Sequence, residues 1–192
     1  MAIEIERKFL LASDAWRAQV SSSTHMAQGY LNDADAVSAG RQQASVRVRI
    51  GGEAAHLNIK SREVGMQRQE FEYAIPLADA QALLALCVGG RIEKRRHLVR
   101  HGDHLWEIDE FEGDNAGLVV AEIELAAPDE AFERPEWLGI EVTEQSRYYN
   151  LVLAERPFSQ WTPQERAPLP QPSLPSATGE RAPSFKENHP CS

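Results

Sequence analysis

The first 155 or so residues alternate between apolar and polar positions with a period of two, which predicts β-strands rather than helices. Short turns that contain glycine separate several of these segments and favour antiparallel neighbours. Eight strands are predicted, over residues 3–11, 26–32, 44–50, 54–62, 67–75, 91–100, 104–111 and 118–126. Helices are predicted over 14–20, 77–87 and 145–154. The pattern therefore indicates a mainly β fold with flanking helices, in the α+β class.

The polar side of this alternation is ionic in seven of the eight predicted strands. The polar sides carry eight cations, Lys8, Arg47, Arg49, Lys60, Arg62, Arg68, Lys94 and Arg96. They also carry eight carboxylates, Glu4, Glu6, Glu70, Glu72, Glu107, Asp109, Glu122 and Glu124. Ion pairs that face water contribute only about 0–1 kcal/mol each, so an open, solvated sheet gives no reason for such regularity. We therefore predict a closed eight-stranded antiparallel β-barrel, a tunnel with a charged lumen and an apolar outside.

The two sets of charges in the predicted lumen suit different ligands. Converging Arg and Lys side chains match the oxygens of a di- or triphosphate. Carboxylates without His or Cys partners suit hard cations, so Mg²⁺ or Mn²⁺ is the expected metal. A metal and a triphosphate that meet between the two sets would provide what phosphoryl transfer needs.

Length and charge exclude several other classes. The chain has 192 residues and a formal net charge of −9, which is opposite to the basic surplus of most nucleic-acid-binding proteins. The charged start of the chain is unlike a signal peptide, and no apolar run has the length of a membrane span. We therefore expect a cytoplasmic protein that binds neither nucleic acid nor membrane, as a monomer or a homodimer.

The end of the chain differs in composition from the rest. Residues 157–192 contain eight of the eleven prolines and few large apolar groups, which is typical of a disordered tail. We predict a folded domain over 1–156 and a proline-rich tail over 157–192, and we expect deletion of the tail to leave activity nearly intact.

The order of the charged motifs resembles that of the CYTH family, also called triphosphate tunnel metalloenzymes. The segment Glu4-Ile5-Glu6-Arg7-Lys8 resembles the Glu-x-Glu-x-Lys motif with which these proteins begin. Later matches follow in order, namely Arg47-x-Arg49, Lys60, Arg68-x-Glu70-x-Glu72, Lys94-x-Arg96, Glu107-x-Asp109, Glu122-x-Glu124 and the closing segment Arg147-Tyr148-x-Asn150. The resemblance covers roughly residues 1–155.

The resemblance implies roles for individual residues. Phosphate ligands would be Lys8, Arg47, Arg49, Lys60, Arg68, Lys94 and Arg96. Metal ligands would be Glu4, Glu6, Asp109, Glu122 and Glu124. The tunnel would be supported by Glu70, Glu72, Glu107, Tyr30 and Arg147. Lys60 or Lys94 would orient or deprotonate the attacking water, since a lysine crowded by other cations can have a lowered pKa.

The expected reaction is the metal-dependent hydrolysis of inorganic triphosphate, because no platform for a nucleobase can be identified. Members of the family also include thiamine and nucleoside triphosphatases and class IV adenylate cyclases, which remain alternatives. A non-catalytic module that binds phosphate or polyphosphate is the alternative outside the enzymes. The presence of both charged sets favours metal-assisted chemistry over simple binding.

Overall fold

The protein folds around a mainly antiparallel sheet. The computed structural model describes residues 2–62 and 67–166, and this part of the chain forms nine strands. The strands are β1 (Ala2–Leu11), β2 (Val20–Tyr30), β3 (Ala44–Gly51), β4 (Ala54–Ser61), β5 (Gln67–Ala74), β6 (Val88–His101), β7 (His104–Phe111), β8 (Val119–Glu124) and β9 (Leu138–Glu141). The predicted mainly β class is confirmed.

The strands are joined in the order β5-β4-β3-β2-β6-β7-β8-β1-β9, and β5 also pairs with β1. Residues 2–5 of β1 pair with 67–70 of β5, whereas its residues 6–10 pair with β8. Most neighbours in the sheet follow each other in sequence, as the short turns predict. Gly52 and Gly102 occupy two of these turns with φ of +58° and +57°, a conformation that glycine adopts without strain.

Helices are few and short. The α-helices are α1 (Ala34–Ser38), α2 (Leu77–Leu84), α3 (Asn150–Glu155) and α4 (Pro163–Arg166). Single 3-10 turns lie at Ala15–Gln19, Gly113–Asn115, Ser146–Tyr148 and Phe158–Gln160. No helix among the described residues is long and apolar enough to span a membrane.

The apolar sides of the strands pack away from the charged sides, in three clusters. One cluster holds Phe9 and Trp106, whose rings are 5.7 Å apart, and is covered by Trp16 and Trp137. The second lies under α3 and Trp161, and the third under α2. Because these covers bury the apolar side, the charged side is left to face a central cavity.

Several predicted element boundaries were wrong, each for a local reason. β2 begins at Val20 rather than at residue 26, because a Ser/Thr-rich segment that is typical of a loop pairs instead with β6. The helix predicted over 145–154 is divided at Tyr149, which has extended backbone angles. The four-residue strand β9 was missed, since its sequence has no clear alternation.

Ordered structure continues past residue 156 into the predicted tail. Phe158 contacts Trp161 with ring centroids 5.1 Å apart, and Trp161 is buried against Tyr148 at 5.2 Å. The backbone N–H of Phe158 donates to Asn115 Oδ1 at 2.8 Å. We call this packed segment, 157–166, the strap; residues 167–192 lie outside the described residues, and their disorder stays a prediction.

Candidate active site

A central cavity of about 500 Å³ lies against the charged side of the sheet. Among the side chains that the structure describes, twelve of the sixteen predicted lumen charges line it. They are Glu4, Glu6, Lys8, Arg47, Arg49, Lys60, Glu70, Glu72, Arg96, Glu107, Glu122 and Glu124. The alternation of the sequence therefore brings these distant residues together.

Two smaller cavities of about 250 Å³ each share walls with the central one. Among the side chains that the structure describes, the basic pocket is lined by Lys8, Arg47, Lys60 and Arg62 together with neutral side chains and by no carboxylate. In the same described part of the chain, the acidic pocket is lined by Glu4, Glu6, Asp103, Glu107, Glu122 and Glu124 and by no Lys or Arg. The three cavities together form a site that is basic at one end and acidic at the other.

Lys60 lies where basic and acidic side chains meet. Its Nζ is 2.7 Å from Glu4 Oε1 and 3.3 Å from Glu70 Oε2. Arg47 approaches the same Glu70 at 3.6 Å, and Arg49 is 2.8 Å from Glu72. Burial alone would raise the pKa of Glu70, but the charges of Lys60 and Arg47 hold it below its ordinary value. This carboxylate is therefore ionised at neutral pH.

Lys8, on β1, forms a second junction between basic and acidic side chains. Its ammonium is 3.0 Å from Glu6 and also contacts Glu122. Burial alone would raise the pKa of Glu122, but the charges of Lys8 and Arg96 keep it well below its ordinary value. The Lys8 ammonium also lies 5.9 Å from the centre of the Tyr149 ring. Carboxylates of the cavity wall thus position the cations Lys8, Arg49, Lys60 and Arg96.

Lys94 and Asp109 form a buried ion pair, and neither lines any of the three cavities. Arg96 connects this buried pair to the cavity wall, since it donates to both oxygens of Asp109 at 2.7 Å and to Glu122 at 3.0 Å. Burial lowers the pKa of Lys94 to about 8, although Asp109 opposes the shift. Lys94 and Asp109 therefore lie behind the cavity wall, and the direct phosphate and metal contacts predicted for them stay predictions.

Carboxylates accumulate at the acidic end. Glu6 and Glu124 are direct partners across β1 and β8, and Glu107 and Glu122 are direct partners across β7 and β8. Like charges at such positions repel each other. Burial and the charges of Glu4, Glu107, Glu6 and Glu70 raise the pKa of Glu124. A bound cation would relieve this repulsion.

The donor atoms at this end fit a hard metal ion. The acidic pocket offers carboxylate oxygens, which Mg²⁺ and Mn²⁺ prefer, and among the described residues His104 is the one histidine that lines it. In the described part of the chain, no three acidic, His or Cys side chains already converge in the geometry of a metal site. Glu4, Glu6 and Glu122 are each engaged by lysine in this arrangement, so they would have to exchange these partners for a metal.

The other predicted site residues divide into three groups. Tyr30 is buried and lines the basic pocket. Arg147 lines none of the three cavities, because its guanidinium lies over the rings of Tyr148 and Trp161, at 5.0 and 5.2 Å. The side chain of Arg68 lies outside the described residues.

Uncharged residues of the inner surface were given no role from the sequence, although Asn150 stands in the closing segment of the family resemblance. Asn58 is fully buried on β4 and donates to Glu70 at 2.9 Å, and Gln28 on β2 is also fully buried. Asn150 lines both the central cavity and the basic pocket. Asn58 lies two residues before Lys60, so the alternation could have identified it, but a search restricted to charge passes over amides.

The fold and the cavity define an antiparallel β protein with a polarised ionic site. A family model described as the CYTH domain matches residues 2–156. An inorganic triphosphatase of Acetivibrio thermocellus is 39% identical over 160 residues, which are 82% of this chain and 97% of that protein. An inorganic triphosphatase of Nitrosomonas europaea is 35% identical over 154 residues, 79% of this chain and 96% of that one.

A solved structure agrees with these sequence matches. The crystal structure of the inorganic triphosphatase NE1496 is similar with a TM-score of 0.57 and 33% identity, over 80% of this chain and 95% of that one. The chain therefore belongs to the CYTH domain family, as the order of its charged motifs predicts.

Proposed function

We propose that this protein is a metal-dependent triphosphatase that hydrolyses inorganic triphosphate to pyrophosphate and phosphate. The observation that carries the proposal is the division of one continuous site into a basic and an acidic end. A triphosphate needs both neutralisation of its charge and a cation beside the bond that breaks, and the two ends supply these separately. The two relatives named inorganic triphosphatases support the same reaction.

We further propose that the sheet closes into an eight-stranded tunnel around this site. The pairing of β5 with β1, in addition to its pairing with β4, supports closure. In a closed tunnel the charges would be shielded from bulk water. Their interaction with phosphate would therefore be stronger than on an open surface.

In this proposal the basic side chains hold the triphosphate. Arg47, Arg49 and Arg96 provide planar groups that can bind two phosphate oxygens each, and Lys8 and Lys60 provide point charges. Lys94 supports them indirectly, because it shares Asp109 with Arg96. Lys60 is the lysine we assign to the attacking water, since it lines the cavity and Lys94 does not.

The acidic side chains would hold Mg²⁺ or Mn²⁺, with Glu4, Glu6, Glu122 and Glu124 as ligands. When bound, the cation would neutralise charge that develops on the phosphate oxygens. Glu70 and Glu72 keep a different task, because they fix Lys60, Arg47 and Arg49 through the contacts described above.

The test is a product analysis with three substrates. The purified protein and a Glu4→Gln/Glu6→Gln variant would be incubated with inorganic triphosphate, thiamine triphosphate and ATP, each with Mg²⁺ or Mn²⁺. We expect fast release of phosphate and pyrophosphate from inorganic triphosphate, and its loss in the variant. Cyclic AMP as the main product would instead identify a cyclase, and tight binding without turnover would identify a binding module.

A further inference from the structure

Asn150 occupies the junction between the central cavity and the basic pocket. Four of the described residues line both spaces, Lys8, Arg47, Lys60 and Asn150. The first three are cations assigned above to the phosphates. Asn150 is the neutral member of this set, at the end of the site where none of the described carboxylates lines the wall.

The side-chain amide of Asn150 makes no hydrogen bond within the part of the chain that the structure describes, and its Oδ1 is buried. Buried polar atoms normally have partners, and one left unpaired destabilises the folded state. Arg47 has the same feature, since its Nε is buried without a partner in the described structure. Two buried polar atoms, the acceptor Oδ1 of Asn150 and the donor Nε of Arg47, thus lack a hydrogen-bond partner among the described residues at the same junction.

Hydrogen bonds of the preceding residue hold the backbone at Asn150 in place. Tyr149, the preceding residue, donates its hydroxyl to the backbone oxygen of Thr143 at 2.8 Å. The Thr143 hydroxyl in turn accepts the backbone N–H of Lys8 at 3.0 Å. The amide is therefore held on the same framework as a phosphate-binding cation, which is the arrangement that a pre-organised ligand contact requires.

We propose that Asn150 is a substrate-positioning residue, whose amide donates a hydrogen bond to the triphosphate where it enters the basic pocket. An amide suits this place because it adds a donor without adding charge to the three neighbouring cations. Its oxygen remains available to a lysine ammonium or to water on the other side. The inference rests on the proposed triphosphatase function and adds a residue to its phosphate-binding set.

Two substitutions test this role by separating KM from kcat. Asn150→Ala removes the donor and should raise KM for inorganic triphosphate about tenfold, the equivalent of about 1.4 kcal/mol, with kcat changed less than about twofold. Asn150→Asp has the same shape but opposes the phosphate with a negative charge, so its KM should rise further. Gln160→Ala is the matched control, because it removes an exposed side-chain amide that lines none of the three cavities.

Calorimetric titration with inorganic triphosphate provides a second readout, in which both Asn150 variants should bind more weakly than the wild type. Unchanged KM and affinity in Asn150→Asp would overturn the role of Asn150 and leave the triphosphatase proposal intact. A fall in kcat and in melting temperature without any change of KM would show a purely structural residue. A wild-type protein that neither binds nor hydrolyses inorganic triphosphate would overturn both proposals.

Discussion

Residues on the charged side of the sheet differ in whether their side chains reach the cavity or are enclosed behind its wall. Lys60 and Lys94 have the same chemistry and a similar sequence setting, each on a strand with another cation two residues away. Lys60 lines the cavity, whereas Lys94 is enclosed with Asp109. A charge enclosed in this way must be paired, because removal of one partner leaves the other uncompensated. Alternation along a strand predicts the side on which a residue lies, but not whether a neighbour will cover it.

Glu141 lies outside the cavity and contributes to the stability of the sheet. It joins β9 to β1 through two hydrogen bonds from the Arg7 guanidinium, and the Thr143 hydroxyl also donates to it at 2.6 Å. Burial alone would raise the pKa of Glu141, but these donors hold it below its ordinary value. A lowered pKa in the folded state stabilises the protein above the unfolded value, near 4.3, and the contribution is lost as pH falls through the folded value.

Glu141→Gln should therefore lower the free energy of unfolding by about 1 kcal/mol at pH 7, a modest value because the pair is partly exposed. The difference from the wild type should shrink as pH falls below the ordinary glutamate range and through the lower folded-state pKa of Glu141. Urea unfolding at several pH values measures both. Glu144→Gln, an exposed neighbour, is the control and should have little effect; a Glu141→Gln effect that does not shrink at acid pH would contradict the expectation.

At the scale of elements, the sequence predicted the strands better than their connections. Eight strands carry regular alternation, and all eight are found. β9 and the strap have no periodic signal, since a four-residue strand and two short turns depend on contacts with the rest of the fold. Trp161 is an example, because its sequence neighbours Pro157 and Pro163 suggest a tail. Its burial follows from packing against the ring of Tyr148, a contact that no local pattern reveals.

The strap leads to a prediction about the two parts of the predicted tail. Trp161 packs on Tyr148, which directly precedes the residues of the basic pocket, Tyr149 and Asn150. Trp161→Ala should lower the free energy of unfolding by about 3 kcal/mol and raise KM several-fold, because the pocket wall loses its support. Unfolding in urea and steady-state kinetics at 20 °C or so, well below the transition, would measure the two effects.

Two matched proteins show whether the packing of the strap is responsible. Glu165→Gln weakens the exposed pair with Arg156 and leaves Trp161 in place, so it should resemble the wild type. A chain that ends at Arg166 should also keep full activity, because it retains the whole strap. Equal activity in Trp161→Ala and the wild type would show that the strap has no part in the site, as the deletion expectation for residues 157–192 implies.

The whole molecule combines a negative net charge of −9 with a site for a polyanion. The separation of charge inside the cavity resolves this conflict, because cations are concentrated at one end and carboxylates at the other. The sequence predicted that both sets share one lumen, since both lie on the same side of the strands. It could not predict their separation, which depends on how β1, β7 and β8 are placed relative to β3 and β4.

The charge separation has a cost in stability that a metal ion should reverse. Without a cation, the pKa of Glu124 is raised by burial and by four neighbouring carboxylates, so its ionised form is unfavourable in the folded protein. Glu124→Gln should therefore be at least as stable as the wild type when a chelator is present. Mg²⁺ at a hundredfold excess over its Kd should stabilise the wild type by about 2.7 kcal/mol, which corresponds to a rise in melting temperature of roughly 5–10 °C.

The same addition to Glu124→Gln should give a much smaller rise, because the variant has lost a metal ligand and much of the repulsion that a metal relieves. Glu53→Gln removes one exposed negative charge outside the cavity and should respond as the wild type does. Thermal scans of the three proteins with Mg²⁺ and with chelator make the comparison without any substrate. Equal shifts of melting temperature in all three proteins would mean that Mg²⁺ binds elsewhere. A shift that is lost only in Glu124→Gln would show that Mg²⁺ binds at the acidic end and relieves the repulsion between its carboxylates.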